Sequence, residues 1–210
     1  GIVTFDDAID VLTEETTEDM QKMAAIMAND KPYKVTTVWE HAKSRVGWLL
    51  ILMLSATITG SIISKYDHAF EALPILVSFI PMLMDTGGNC GSQSSTLIIR
   101  GLAVDELRNS DVLEIIWKEF RVSLIVSAIL AVANGFRIFL LYKDLPLSIA
   151  VSLSLIGTVI IAKLVGAILP ILAKKLKFDP AVMASPVITT VVDTFSIIIY
   201  FNIASAILHI

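Results

Sequence analysis

From about residue 46 onward the chain is a succession of apolar runs, each near the ~20 residues that a helix needs to cross the hydrocarbon layer of a bilayer. Backbone N–H and C=O groups find no water in that layer, so such runs fold as helices. Five runs fit: about 46–64, 72–103, 120–142, 146–172 and 180–209. The second is interrupted by Asp85-Thr86-Gly87-Gly88-Asn89-Cys90-Gly91. Charged residues make up 17% of the chain, against ~25% in soluble domains. The expected fold class is an all-α membrane protein with five transmembrane helices per chain.

A short polar stretch precedes the runs. Thr4, with Asp7 three residues on, marks a helix start. Ile9, Leu12, Met20, Met23 and Met27 keep near-helical spacing, which predicts an N-terminal cytoplasmic amphipathic helix to about residue 27. Ile2-Val3-Thr4-Phe5 reads as the end of a strand, and a chain opening there is expected to be a piece of a longer one. Asn29-Asp30-Lys31-Pro32 is a breaker, and Thr36 to Arg45 reads as an amphipathic lead-in helix.

Lys and Arg are distributed unequally over the connections. With the N-terminus in the cytoplasm, twelve of them lie inside and only Lys65 and Lys143 outside, while Arg137 and Lys163 fall within spans. That bias predicts an inside N-terminus and an outside C-terminus. Arg137 is near the outer end of its run, within snorkelling reach of water. Lys163 lies deeper and has no partner evident in the sequence.

Asp193 sits inside the apolar run from Pro186 to Ile210. Intramembrane carboxylates are expensive and usually face a bundle interior or a water-filled path. Ser185, Thr189, Asp193, Ser196 and Tyr200 are spaced to share one helical face. The bland alternative is a carboxylate bonded to a neighbouring helix as glue.

The run from Pro81 to Thr96 holds three glycines in five residues, Gly87, Gly88 and Gly91, which is costly for a helix. It predicts a local break, with exposed carbonyls joining Asn89 and Gln93 in an oxygen-rich lining. Asn89, Gln93, Thr96 and Arg100 continue one face if the helix resumes. Small-residue helix packing is the competing use of the same glycines.

Oxygen donors, a single cysteine (Cys90) and three scattered histidines favour a hard cation. One strong carboxylate per chain suits Mg²⁺, which sheds its waters reluctantly. The first twenty residues carry seven acids and no base. A divalent cation would relieve their repulsion, and a solvated acidic helix is the plain alternative. Asp179 precedes Pro180 at the start of the last run and either caps it or faces the acidic helix across an ion. Lone Cys90 excludes a disulfide framework, and no basic, aromatic-interleaved patch supports nucleic-acid binding.

Gly87-Gly88-Asn89-x-Gly91-x-Gln93-x-x-Thr96 with Arg100, and Asp179-Pro180-Ala181 followed by Pro186, Thr190 and Asp193, resemble the signature of the MgtE family of bacterial Mg²⁺ channels. Gly1-Ile2-Val3-Thr4-x-Asp6-Asp7-x-Ile9-Asp10-Val11 resembles the end of that family's second CBS domain, and Thr17-Glu18-Asp19 the start of its connecting plug helix. The resemblance implies three parts: residues 1–30, the CBS end and the start of the plug helix; 31–45, the rest of the connection; and 46–210, the pore domain. It implies a homodimer in the bacterial plasma membrane, with its pore on the two-fold axis between the second and fifth spans. It implies Asp193 and Thr189 as pore ligands, with Ser185, Gly87, Gly88, Asn89, Gln93 and Thr96 lining the pore. Ser185 departs from the family's asparagine. Asp7, Asp10, Glu15, Glu18, Asp19 and Asp179 are implied as regulatory Mg²⁺ ligands. The expected function is a Mg²⁺-selective channel gated by cytoplasmic Mg²⁺, with Mg²⁺ and other divalent cations as cargo.

Three rivals remain at this point. An intramembrane protease dyad would pair Asp85 of Asp85-Thr86-Gly87 with Asp193, provided the two carboxyls share a proton. A secondary transporter would couple Mg²⁺ to Na⁺ or H⁺, although such folds usually show paired broken helices. A bare membrane anchor has no use for Asp193.

Overall fold

The computed structural model describes residues 1–29, 31–183 and 185–209, with the side chains of residues 67, 68, 70, 109 and 185 outside the description. Its regular structure is helical, and no strand occurs among the described residues. Helix α1, Phe5–Met23, begins at the expected cap: the Asp7 backbone N–H donates to the Thr4 hydroxyl, while the Thr4 N–H donates to the Asp7 carboxylate at 2.8 Å. The expected strand end is absent, since residues 1–4 carry no regular element. The helix also stops at Met23 rather than near Met27. Ala25 adopts a left-handed φ of 55°, and Gln21 turns back to bond both backbone groups of Asn29.

Helix α2, Val38–Ile63, is capped in the same manner by Thr37 and Glu40. The expected lead-in helix and first span are therefore one continuous helix, because only Gly47 interrupts the good helix formers between them and a single glycine is tolerated. A 3-10 turn (Ser64–Tyr66), the short α3 (Asp67–Ala72) and a second 3-10 segment (Pro74–Phe79) lead into α4, Ile80–Ala103. Three long helices follow: α5, Val112–Tyr142; α6, Leu145–Lys175; and α7, Ser185–Leu208, the last preceded by a 3-10 turn at Pro180–Met183.

The expected break at residues 85–91 does not occur. Helix α4 runs unbroken through Gly87, Gly88 and Gly91, and the irregular backbone lies earlier, at Leu73-Pro74. Tertiary contact has overridden propensity, because all three glycines are buried against neighbouring helices.

Helix α6 is the hub, packed against α4, α5 and α7. A Cβ on Gly166 of α6 would collide with the Gly91 carbonyl, so the α4 and α6 backbones touch. Gly87 faces Thr158, Gly91 faces Ala162, Ser94 meets Lys163, and Lys174 donates to the Leu102 carbonyl at 2.9 Å. Partners advance together along both helices, so α4 and α6 run parallel. Against α7 the order reverses: Gly91 meets Ile188, and Gly87 meets Val192. The Tyr200 hydroxyl, buried in α7, donates to the Leu76 carbonyl at 2.9 Å and pins the irregular segment ahead of α4.

Four described stretches are long and apolar enough to cross a membrane: Val38–Tyr66, Val112–Tyr142, Leu145–Lys175 and Pro180–Leu208. The 24 residues of α4 reach about 36 Å at the helical rise, ample for a ~30 Å hydrocarbon layer. Its polar residues keep it out of that apolar set.

Candidate functional site

The glycines of α4 determine what lies beside Asp193. A Cβ on Gly88 would stand 2.9 Å from Cγ2 of Thr189, and one on Gly87 would stand 2.8 Å from Cγ1 of Val192 and 3.1 Å from Oγ of Ser196. Only glycine permits this approach. It brings α4 against the turn of α7 that carries Thr189 and Asp193.

Asp193 is half-buried and has no hydrogen-bond or ion-pair partner among the described residues. The helix-glue alternative therefore has no bond to rest on among the described residues. Thr189 is also half-buried, and its hydroxyl donates to the Pro186 carbonyl at 3.0 Å. The polar stripe expected on α7 divides. Ser196 and Tyr200 turn into the core, where Ser196 donates to the Val192 carbonyl and Tyr200 to Leu76. The side chain of Ser185 lies outside the described residues.

Gly87 and Gly88 are buried and serve packing, while Asn89, Gln93 and Thr96 are exposed with Asp85 and Arg100. Those five follow one another at intervals of three and four and form a polar face along α4. The lining thus consists of side chains on an intact helix rather than freed backbone carbonyls. Asp85 and Asp193 are not hydrogen-bonded to each other, so the shared proton that a protease dyad requires is not formed here.

Behind that face lies a network that sequence reasoning missed. Lys163 is 4% exposed, and its Nζ donates to the Ser94 hydroxyl at 3.3 Å; Ser94 in turn donates to the Glu119 carboxylate at 2.6 Å. The buried cation of α6 is thereby linked through α4 to an acid on α5. Lys163 was visible as an intramembrane charge, but Ser94 looked like one hydroxyl among several.

At the end of the bundle that carries Asp179, α1 packs against the Pro180–Met183 turn. Lys22 bridges Glu18 at 2.5 Å and Asp179 at 2.6 Å. These two hydrogen bonds, Asp179 first, raise the Lys22 pKa above that of a free ammonium. Asp19 faces the same cleft, and burial, followed by the Asp179 charge, holds its carboxyl above the usual range. Glu15, Asp19 and Asp179 line a cavity of about 320 Å³ with Lys22 and Lys174. The fold thus gathers Glu15, Glu18, Asp19 and Asp179, with Lys22 among them as a built-in counter-charge. Asp7 and Asp10 stay exposed at the far end of α1, and Asp7 is committed to Thr4, whose side-chain hydroxyl and then backbone N–H lower its pKa. No three His, Cys, Asp or Glu side chains among the described residues converge closely enough to hold a metal ion in this arrangement.

Residues 80–203 match the family described as MgtE, divalent cation transporter. The whole chain is 38% identical over 209 residues to the magnesium transporter MgtE of Bacillus subtilis, covering 46% of that relative. It is 38% identical over 210 residues to the protein of the same name from Thermus thermophilus, again covering 46%. The relative from Enterococcus faecalis is 34% identical over 208 residues. The chain spans about half the length of the curated relatives it matches.

Proposed function

This chain belongs to the MgtE family of divalent cation transporters, and from that premise we propose that it carries Mg²⁺ across the bacterial plasma membrane, past Asp193 and the polar face of α4. The observation that carries the reading is Asp193 itself: a half-buried carboxylate without a partner, held beside α4 by Gly87 and Gly88. An unpaired anion in an apolar helix attracts a cation, and a single carboxylate suits an ion that keeps most of its water. Thr189 is the ligand one turn earlier. Ser185, Asn89, Gln93 and Thr96 line the route, and Gly87 and Gly88 form its close-packed wall.

In this reading α4 joins the four apolar stretches as a further span, the second in chain order. It is parallel to α6 and antiparallel to α7, which is the alternation that spans joined by short connections produce. Five spans with a cytoplasmic N-terminus put the C-terminus outside. The exposed polar face of α4 is unsuited to lipid, and a second copy across a two-fold axis would enclose it in a homodimeric pore. Residues 1–30 are proposed as the end of a CBS domain and the beginning of the plug helix, with 31–45 completing the connection. Cytoplasmic Mg²⁺ would act on Glu15, Glu18, Asp19 and Asp179, with Asp7 and Asp10 facing parts of the longer protein.

A channel is favoured over a carrier coupled to Na⁺ or H⁺ because α4 and α7 are continuous, whereas such carriers usually bind at paired broken helices. The test is flux into proteoliposomes. Asp193→Ala should abolish Mg²⁺ uptake in a folded protein, and uptake should be indifferent to imposed Na⁺ and H⁺ gradients. Wild-type flux in the variant would remove Asp193 from the route, and gradient dependence would convert the channel into a carrier.

A further inference from the structure

We propose that the cradle between α1 and α2 binds the phosphate headgroup of an anionic phospholipid. The described residues of the connection, 24–29 and 31–37, fold back onto both helices. Gln21 holds both backbone groups of Asn29, and the Met27 N–H donates to the Ser44 carbonyl at 2.9 Å. The enclosed cavity measures about 360 Å³. Lys31, Tyr33, His41, Ser44 and Arg45 line it. Tyr33 and His41 lie ring to ring at 4.7 Å, and the Ser44 hydroxyl donates to the His41 carbonyl at 3.1 Å.

The cations that line this cavity are Lys31 and Arg45. Residues 31–45 hold Lys31, Lys34, Lys43 and Arg45 against the single acid Glu40. Glu40 is occupied by Lys31 at 2.6 Å and by its cap with Thr37. Arg45, Lys34 and Lys43 have no hydrogen-bond or ion-pair partner among the described residues. The Arg45 guanidinium, which lines the same cavity as Tyr33 and His41, presents the fork that a phosphate diester takes bidentately.

The position selects a lipid rather than a dissolved anion. Tyr33, Val35, Val38 and Trp39 are 70–87% exposed immediately ahead of the apolar surface of α2. Exposed aromatics at the entry to a span sit at headgroup level. In the proposed topology a lipid at this level would place its phosphate on Arg45 while its chains follow α2. Basic residues beside a span also follow from orientation alone. Lys118 and Arg121 at the start of α5 are such residues: they line a groove of about 390 Å³ with Glu114 and Trp117, formed by α5 alone with no second segment folded over it.

The experiment is native mass spectrometry of the purified protein titrated with phosphatidylglycerol or phosphatidylcholine, and it involves no transport. A saturable phosphatidylglycerol adduct, retained in preference to phosphatidylcholine, is expected. Arg45→Gln should weaken it about fivefold, the effect of one basic residue at an anionic surface. Arg45→Lys should keep most of it, and the paired Lys118→Gln, Arg121→Gln variant should keep all of it. Glycerol 3-phosphate and inorganic phosphate should not displace it. Equal retention of both lipids, or equal loss in the α5 variant, would reduce the cradle to a general basic belt. Displacement by either soluble anion would reassign it as a phosphate site.

Discussion

Asp193 and Thr189 stand one turn apart, but the structure gives them different means of meeting a cation. Asp193 offers an unpaired carboxylate, whereas the Thr189 hydroxyl already donates to Pro186. Asp193→Asn keeps the shape and removes the charge, so divalent over monovalent selectivity should fall while some flux remains, as measured by reversal potentials in bilayers. Thr189→Val keeps the methyl that Gly88 packs against. If Thr189 contributes through its backbone, conductance in that variant should stay close to wild type, and a loss like that of Asp193→Ala would assign the hydroxyl a direct role. Gly88→Val is the steric counterpart. A Cβ there already meets Thr189 at 2.9 Å, and overpacking of this kind typically costs about 1–3 kcal/mol. Flux should drop more than thermal stability does, because the displaced residue, Thr189, is the proposed pore ligand.

The elements behave as levers on these residues, and α1 is the one that titrates. Burial and the Asp179 charge raise the Asp19 pKa above that of a free carboxyl. Protonation of Asp19 therefore favours the docked helix. That contribution is complete below the free carboxylate range and disappears as pH rises through the raised value, so at neutral pH Asp19 opposes docking. Asp19→Asn should slow amide hydrogen exchange across Phe5–Met23 at neutral pH, and Lys22→Gln should accelerate it. Unchanged protection in both would mean that the Lys22 bridges do not hold α1. Much of α1 was legible, since its cap at Thr4 and Asp7 is a three-residue pattern. Its counter-ion was not, because Asp179 is 157 residues from Lys22. The glycines of α4 misled for a related reason. Their helix cost is local and readable, while the neighbours that repay it, Thr158, Val192, Thr189 and Gly166, come from α6 and α7. Lys163 was likewise visible without Ser94, which lies 69 residues away.

At the scale of the whole molecule, the exposed face Asp85, Asn89, Gln93, Thr96 and Arg100 is the strongest constraint. Asp85, Asn89 and Gln93 are costly against lipid, while Thr96 and Arg100 also line a cavity between α4 and α1. The proposed second copy would bury this face and would place two Asp193 carboxylates about one axis. Topology is checked first: a cysteine after Tyr66 should label from outside and one near Lys175 only from inside, and reversed labelling would overturn the inside N-terminus. The pairing is then checked with Gln93→Cys in a Cys90→Ala background. Native membranes should give a chain-to-chain disulfide at Gln93→Cys and none at Leu97→Cys, one residue round the helix from Thr96. Leu97 is 65% exposed and apolar, as a lipid contact should be. Cross-linking at both positions would signal random collision, and at neither a polar face covered by something other than this chain. A disulfide confined to Gln93→Cys that is also hindered by high Mg²⁺ would tie the paired face to the cation route, since hydrated ions held between the two Asp193 carboxylates resist closure of the space around them.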